Sequence, residues 1–415
     1  MPRQSRFHVG ALIAPFVVLL LGASCFDNTE PANPLPALFS TQPATLDAGA
    51  NGETVTLVGD GFVTGSRARW NGGDRPTTFV SHTQLTVNLT AQDLANPGGG
   101  SFTVVNPAPG GGSSAALAVA IQFPPPPGVT ALALGGRPHG VAVAANGVFY
   151  ISQIDGHAVT KGTVDATSQS LVGTADVGAD TPAHVALDPN ATRAYTANQF
   201  GHSVSVVDVA TNSLVATIPL TDQGFNVLVS PDGTRVYVST AEGHLYVIDP
   251  GTRQILATVP VGISANGLAL NAQTKTLYVS SIAGGTVTAI DLNTNTVSRT
   301  YTVSQGAQRI ALSPNGSTLY IASESVGMEV LDLSTGTRTS VTGVPGGTVG
   351  LALSPDGSRI ILTFPPAGTI RFIDRATLTV TRTLNNMGSP RNVAFAANGA
   401  VAIVTDEIGR VLFLR

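Results

Sequence analysis

The 415-residue sequence is poor in several things at once. It has one cysteine, Cys25, so no disulfide can form within the chain and the fold must rest on its cores. Charged residues are only 11%, there is one tryptophan and three methionines, and aromatics make up 6%. The net charge of −4 comes with no basic run, which argues against nucleic-acid binding. The longest apolar stretch, Val9–Leu21, is 13 residues, too short to span a bilayer as a stable helix. Several chemical signatures are also missing: C-x-x-C-H, G-x-S-x-G, H-E-x-x-H, a Walker A loop and an EF-type calcium loop. No cofactor and no metal is therefore expected.

What is abundant is glycine, 46 residues, within a chain that is 43% hydrophobic, a texture that points to an all-β, turn-rich protein. The stretch Asn226–Gly262 reads as four short strands joined by turns, and the pattern returns through the last two-thirds of the chain. An apolar residue opens the first strand of each unit: Val141, Val185, Val227, Leu268, Ile310, Leu351 and Val393, at steps of 44, 42, 41, 42, 41 and 42. A turn follows, as in the SPDG segments ending at Gly233 and Gly357. A glycine precedes the third strand (Gly156, Gly201, Gly243, Gly285, Gly327, Gly368, Gly409). An aspartate closes that strand with threonine three residues on, from Asp208/Thr211 to Asp374/Thr377. Proline presets φ and glycine accepts positive φ in such turns, and Asp-x-x-Thr bonds its own turn.

A period near 42 with four strands per unit is the signature of a β-propeller blade. Seven units are countable and the last stops after three strands. Val129–Leu134 is expected to supply the missing strand beside Val411–Leu414 and so close a ring without exposed edges. Residues 129–415 resemble the YVTN-type propeller repeats of archaeal surface-layer and bacterial envelope proteins. The resemblance is carried by Val236-Tyr237-Val238-Ser239, Leu277-Tyr278-Val279-Ser280 and the SPDG and Asp-x-x-Thr turns. It implies a fold and not an activity.

Residues 1–24 read as an export signal: Arg3 and Arg6, the apolar run, then Gly22-Ala23-Ser24. LLGASC resembles a bacterial lipoprotein box, which would lipidate Cys25; Gly22 stands where a branched apolar residue is usual. The other reading is ordinary signal cleavage with Cys25 incidental. Residues 25–36 read as a tether.

Residues 37–122 carry short β runs at Thr54–Gly59, Arg67–Trp70, Thr77–Val80, Gln84–Leu89, Ser101–Asn106 and Ala115–Gln122, a spacing that suits an Ig-like sandwich cored by Trp70. This block resembles an IPT/TIG domain through Val55–Phe62, Trp70-Asn71-Gly72, Gln84-Leu85-Thr86 and the Val105–Ser113 tail, which implies a spacer or adhesion module. Residues 123–128, with four consecutive prolines, read as a stiff linker.

Two groups of polar residues stand out. The central opening of such a disc would be lined by residues just before each first strand: His139, Phe225, Asn226, Asn266, Gln308, Arg309, Arg391 and Asn392, with the two arginines able to meet a carboxylate. His139, His157, His184, His202 and His244 fall at connections on one face, as a candidate metal, anion or pH-sensitive rim, or as a turn residue shared by descent between repeats. Asp208, Asp249, Asp291, Asp332 and Asp374 hold one register and read as turn caps, since a catalytic acid needs a unique environment. The expected whole is a non-catalytic envelope lipoprotein anchored at Cys25, presenting a face to a protein or glycan. The alternative is a propeller enzyme (lactonase, lyase, or quinone- or metal-dependent oxidoreductase) working at the central opening.

Overall fold

The computed structural model describes residues 31–178 and 181–415, and these are strand and turn almost throughout. Short 3-10 turns at Ile154–Gly156 and Pro365–Ala367 are the helical pieces among them. Residues 1–24, read above as an export signal, and Cys25 lie outside the described residues. The chain divides into two compact units between Ile121 and Gln122.

The first unit has two sheets. One runs in the order Ala37–Gln42, Gly52–Asp60, Gln84–Thr90, Thr77–Ser81. The other runs Thr45–Asp47, Leu117–Gln122, Gly98–Asn106, Arg67–Trp70, Gly73–Arg75, with Gly112–Ser113 beside Gly98–Asn106. Alternation does the work expected of it: Val55 pairs with Val87 and Leu57 with Leu85, and all four are buried. Trp70 is buried against Phe102, ring centroids 4.6 Å apart. Gly100 leaves room for the indole, because a Cβ there would fall on the Trp70 ring.

The second unit is built of four-stranded antiparallel sheets, consistent with a β-propeller. Six are consecutive in sequence, from Pro138–Asp176 to Gly350–Leu384. A further sheet is composite: Val129–Ala133 pairs with Arg410–Leu414, followed by Ala402–Asp406 and Pro390–Phe395. The expected pairing is thus present, with Val129 opposite Leu414 and Ala133 opposite Arg410. The inner strands pack side by side in chain order, and Pro390–Phe395 packs back beside Pro138–Val143.

The apolar core lies between consecutive sheets. Val141, Phe149 and Ile151 of the first meet Ile403, Val411 and Phe413 of the composite one, with Phe149 and Phe413 rings 5.7 Å apart. The turns behave as their residues dictate. Gly233, Gly316, Gly357 and Gly399 take positive φ, and each donates its N–H back across the turn. Asp208, Asp249, Asp332 and Asp374 each accept the N–H of the threonine three residues on, whereas Asp291 accepts from Asn293. These bonds, with Ser334 foremost, hold Asp332 down to about 2. A carboxylate so held stays ionised and cannot act as a general acid near neutrality.

One further repeated device joins sheet to sheet. Near the end of the second strand a hydroxyl takes an inner-strand N–H of its own sheet and donates to an inner-strand carbonyl of the next. Ser280 Oγ accepts from Gly267 (2.8 Å) and donates to the Gln308 carbonyl (2.7 Å). Thr363 does the same between Gly350 and Arg391, and Ser152 between Gly140 and Ala183. Thr405 accepts from Asn392 and donates to the His139 carbonyl at 2.7 Å, joining the last inner strand to the first. Glycine is required where this bridge is tightest. A Cβ on Gly350 would fall on Thr363 Oγ1 and on the Arg391 carbonyl. Gly350→Ala is therefore expected to lower the stability of the chain by about 1–3 kcal/mol through overpacking. Chemical denaturation followed by fluorescence would check this, and an unchanged midpoint would contradict the close approach.

Candidate functional site

The hydroxyl bridges hold the carbonyls of His139, Ala183, Asn266, Gln308 and Arg391, and all five residues line one cavity of about 180 Å³. Phe225, Arg309, Val349, Gln199 and Ile282 complete its wall. Six of the four-stranded sheets of the second unit contribute at least one of these residues, and Val349 directly precedes the remaining one, so the cavity lies where the sheets converge. Its position follows from local folding: five of the seven inner strands carry a polar or aromatic residue (His139, Phe225, Asn266, Gln308, Arg391) just before the buried apolar run, and the bridges fix the start of these strands.

Arg309 is the more buried of the two arginines lining the cavity, only 9% exposed. Its Nε donates to Asn392 Oδ1 at 2.9 Å and its Nη1 to Asn266 Oδ1 at 3.0 Å. Those acceptors are held in turn. Asn266 Nδ2 donates to Gln308 Oε1 (2.6 Å), and Gln308 Nε2 donates to Glu324 Oε1 (2.7 Å). Asn392 Nδ2 donates to the His139 carbonyl (2.7 Å), and Asn226 Nδ2 to the Asn266 carbonyl (3.0 Å). The amide orientations are thus set by their neighbours.

Burial, and then the nearby Arg391, draw Arg309 down to about 9, which still leaves it cationic at neutral pH. His139 Nδ1 lies 2.5 Å from the Ala183 carbonyl. A carbonyl only accepts, so Nδ1 carries the proton. Burial, with Arg391 next, takes His139 down to about 3, so it is neutral at pH 7. Its Nε2 and Arg391 Nε each stand 3.9 Å from Glu407 Oε1, beyond hydrogen-bond range.

Of the residues singled out in the sequence, His139, Phe225, Asn266, Gln308, Arg309 and Arg391 line the cavity, while Asn226 and Asn392 lie one layer behind, hydrogen-bonded to its wall. The histidines divide. His184 sits in the inner strand Pro182–Leu187 against Gly140, and burial followed by Arg309 lowers its pKa well below the usual value. His157 and His202 lie at connections between second and third strands, and His244 opens a third strand. His202 Nδ1 is 3.2 Å from the Thr221 carbonyl, and His244 Nδ1 is 2.6 Å from Asp222 Oδ2. Among the described residues no three His, Cys, Asp or Glu side chains are grouped to hold a metal ion.

Besides the apolar Ala183 and Val349, the sequence pattern left Gln199, Ile282, Glu324 and Glu407 unmarked. These four share one position. Each is the first residue after a second strand and donates its N–H to the loop before the inner strand, as Glu407 does to the Ser389 carbonyl. Positions 199, 241, 282, 324, 365 and 407 step by 42, 41, 42, 41 and 42, so the period that marked the inner strands also marks this second ring.

No protein-family model matches the chain. Two curated proteins, each called uncharacterized protein YncE, from Salmonella typhi and Salmonella typhimurium, are 29% identical to it over 136 residues. That is 32% of this chain and 37% of theirs, so the chain spans little more than a third of the curated relatives it matches. Among solved structures, Kuenenia stuttgartiensis hydrazine synthase matches 68% of this chain and 96% of that one, with a TM-score of 0.61 and 19% identity. The chain is thus similar to propeller-like proteins, and at that identity the structural likeness concerns the fold alone.

Proposed function

We propose that this chain is a non-catalytic, membrane-tethered binding protein of the cell envelope. In this reading an IPT/TIG-type Ig-like sandwich and a seven-bladed YVTN-type propeller follow a lipidated Cys25, and the axial cavity recognises part of a protein or glycan partner. Seven four-stranded sheets whose inner strands pack in a cycle support the blade number. Two sheets around Trp70 support the sandwich. The LLGASC segment supports the anchor.

The observation that carries binding over catalysis is the state of the polar groups at the cavity. The donors and acceptors around Arg309 are locked to one another, and the one histidine in the wall is neutral with its pKa near 3. A base that weak takes few protons from a substrate at neutral pH. Rigid, pre-oriented donors favour recognition instead.

The test has two arms. Alkyne-palmitate supplied to cells making the chain is expected to label it, and Cys25→Ser to abolish the label; labelling that survives the substitution would remove the anchor. Partners captured from envelope extracts are expected to be recovered chemically unchanged. Cleavage or conversion of the captured partner would establish the enzyme reading instead.

A further inference from the structure

Resting on that reading of the cavity as a recognition site, we infer that it is a carboxylate site, with Arg309 and Arg391 as the paired cationic donors and an apolar wall for a short carbon skeleton. Arg309 is buried, yet its hydrogen-bond acceptors are neutral amide oxygens. Its side-chain hydrogen bonds run from Nε and Nη1, which leaves the Nη2 end of the fork for a ligand on a residue that lines the cavity. Arg391 lines the same cavity, and its buried Nε has no hydrogen-bond partner in the protein.

The acids nearby leave Arg309 without a contacting counter-charge, and Arg391 has only a loose ion pair with Glu407. Glu324 reaches Arg309 only through Gln308 and Asn266, which orients the guanidinium without pairing with it. Glu407 is 3.9 Å from Arg391 Nε, so it can steady that side chain and leave its donors unfilled. A buried cation such as Arg309 without a contacting counter-charge is costly, and the nearby positive charge of Arg391 adds to that cost. An anion entering between them removes that cost and can accept two or more charge-assisted hydrogen bonds.

The rest of the wall selects among anions. Phe225, Ile282 and Val349 are apolar and line the same 180 Å³ space. That composition suits a planar carboxylate carried on a few carbons better than a fully hydrated phosphate or sulfate, whose oxygens would face apolar surface on one side. The shared chemistry is a carboxylate on a short apolar stem. It could come from a free small organic acid or from the acidic end of a larger molecule.

The test is titration calorimetry and thermal melting of the mature chain with butyrate, butyramide, inorganic phosphate, and a short peptide with a free or an amidated C-terminus. Butyrate is expected to titrate and to raise the melting temperature, with butyramide and phosphate at least tenfold weaker. Arg391→Gln is expected to weaken butyrate about tenfold without lowering the unliganded melting temperature by more than a few degrees, because its Nε has no hydrogen bond to lose and the repulsion with Arg309 is relieved as the loose ion pair with Glu407 goes. Arg309→Lys keeps the charge but not the fork, and is expected to weaken it by a similar factor.

Preference for the free-acid peptide over butyrate would assign the source to a chain terminus, and the reverse to a free acid. Equal response to butyrate and butyramide, or none to any carboxylate at millimolar concentration by a folded chain, would overturn the inference. If carboxylates fail while partner capture from envelope extracts persists, the recognition reading survives without this site. If butyrate binds but envelope partners are chemically converted, the carboxylate site stands and the non-catalytic reading falls.

Discussion

A chain beginning at Gly135 is expected to lose cooperative folding of its second unit, whereas one beginning at Phe123 keeps it. The strand Val129–Ala133 contributes no residue to the axial cavity, but it pairs along the whole of Arg410–Leu414. Without it that strand presents a row of unpaired N–H and C=O groups, which invites association between chains. Val129 and Ala131 also pack on one inter-sheet core, and Leu132 and Leu134 on the next. Losing four such partly buried side chains costs on the order of 5 kcal/mol by apolar burial alone, which is comparable with the whole stability of a typical domain. Size-exclusion chromatography and thermal melting of the two chains would check this. A monomeric, cooperatively melting chain from Gly135 would show that closure by this strand is dispensable.

The second large effect is expected at Arg410. Asp406 is fully buried, and Arg410 Nε donates to its Oδ2 at 2.6 Å. Asp406 Oδ1 accepts the Ser389 N–H at 2.7 Å, and Arg410 Nη1 donates to the Phe123 carbonyl. Burial pushes the Asp406 carboxyl up, and the guanidinium opposes that shift. Arg410→Ala would leave a buried carboxylate without its cation, a change that costs about 3–5 kcal/mol. Replacing both partners with apolar residues, as in Asp406→Leu with Arg410→Met, is expected to cost less than Arg410→Ala alone, because no charge is then stranded. Urea denaturation of the two variants beside the parent would settle the order. The loss should also reach the cavity, because Glu407, which faces Arg391 and His139, lies in the turn that this ion pair closes.

Much of this architecture is legible in the chain because a propeller repeats its local rules. The turn glycines, the Asp-x-x-Thr caps and the alternating strands each recur near every 42 residues, and each is a short-range preference. The borrowed strand was legible too, since the last unit lacks one and Val129–Leu134 has the right texture. The first unit was read less fully. Ala37–Gln42 and Thr45–Asp47 pair in the two sheets although neither shows clear alternation. A strand that is only half covered on its inward face leaves a weak periodic signal.

By itself the sequence determined the all-β class, the repeat, its length and the polar positions near the start of most inner strands, because those follow from turn chemistry and side-chain alternation within a few residues. Only the tertiary structure decided which of those positions face one another. Arg309 and Asn392 are 83 residues apart, and Thr405 and His139 are 266 apart, yet each pair is in hydrogen-bond contact. Such distances are bridged by how sheets stack around a common centre, a packing outcome set by the summed apolar faces of the sheets rather than by any local segment. The division of the histidines, the second ring containing Glu324 and Glu407, and the unpaired charge of Arg309 all belong to that level.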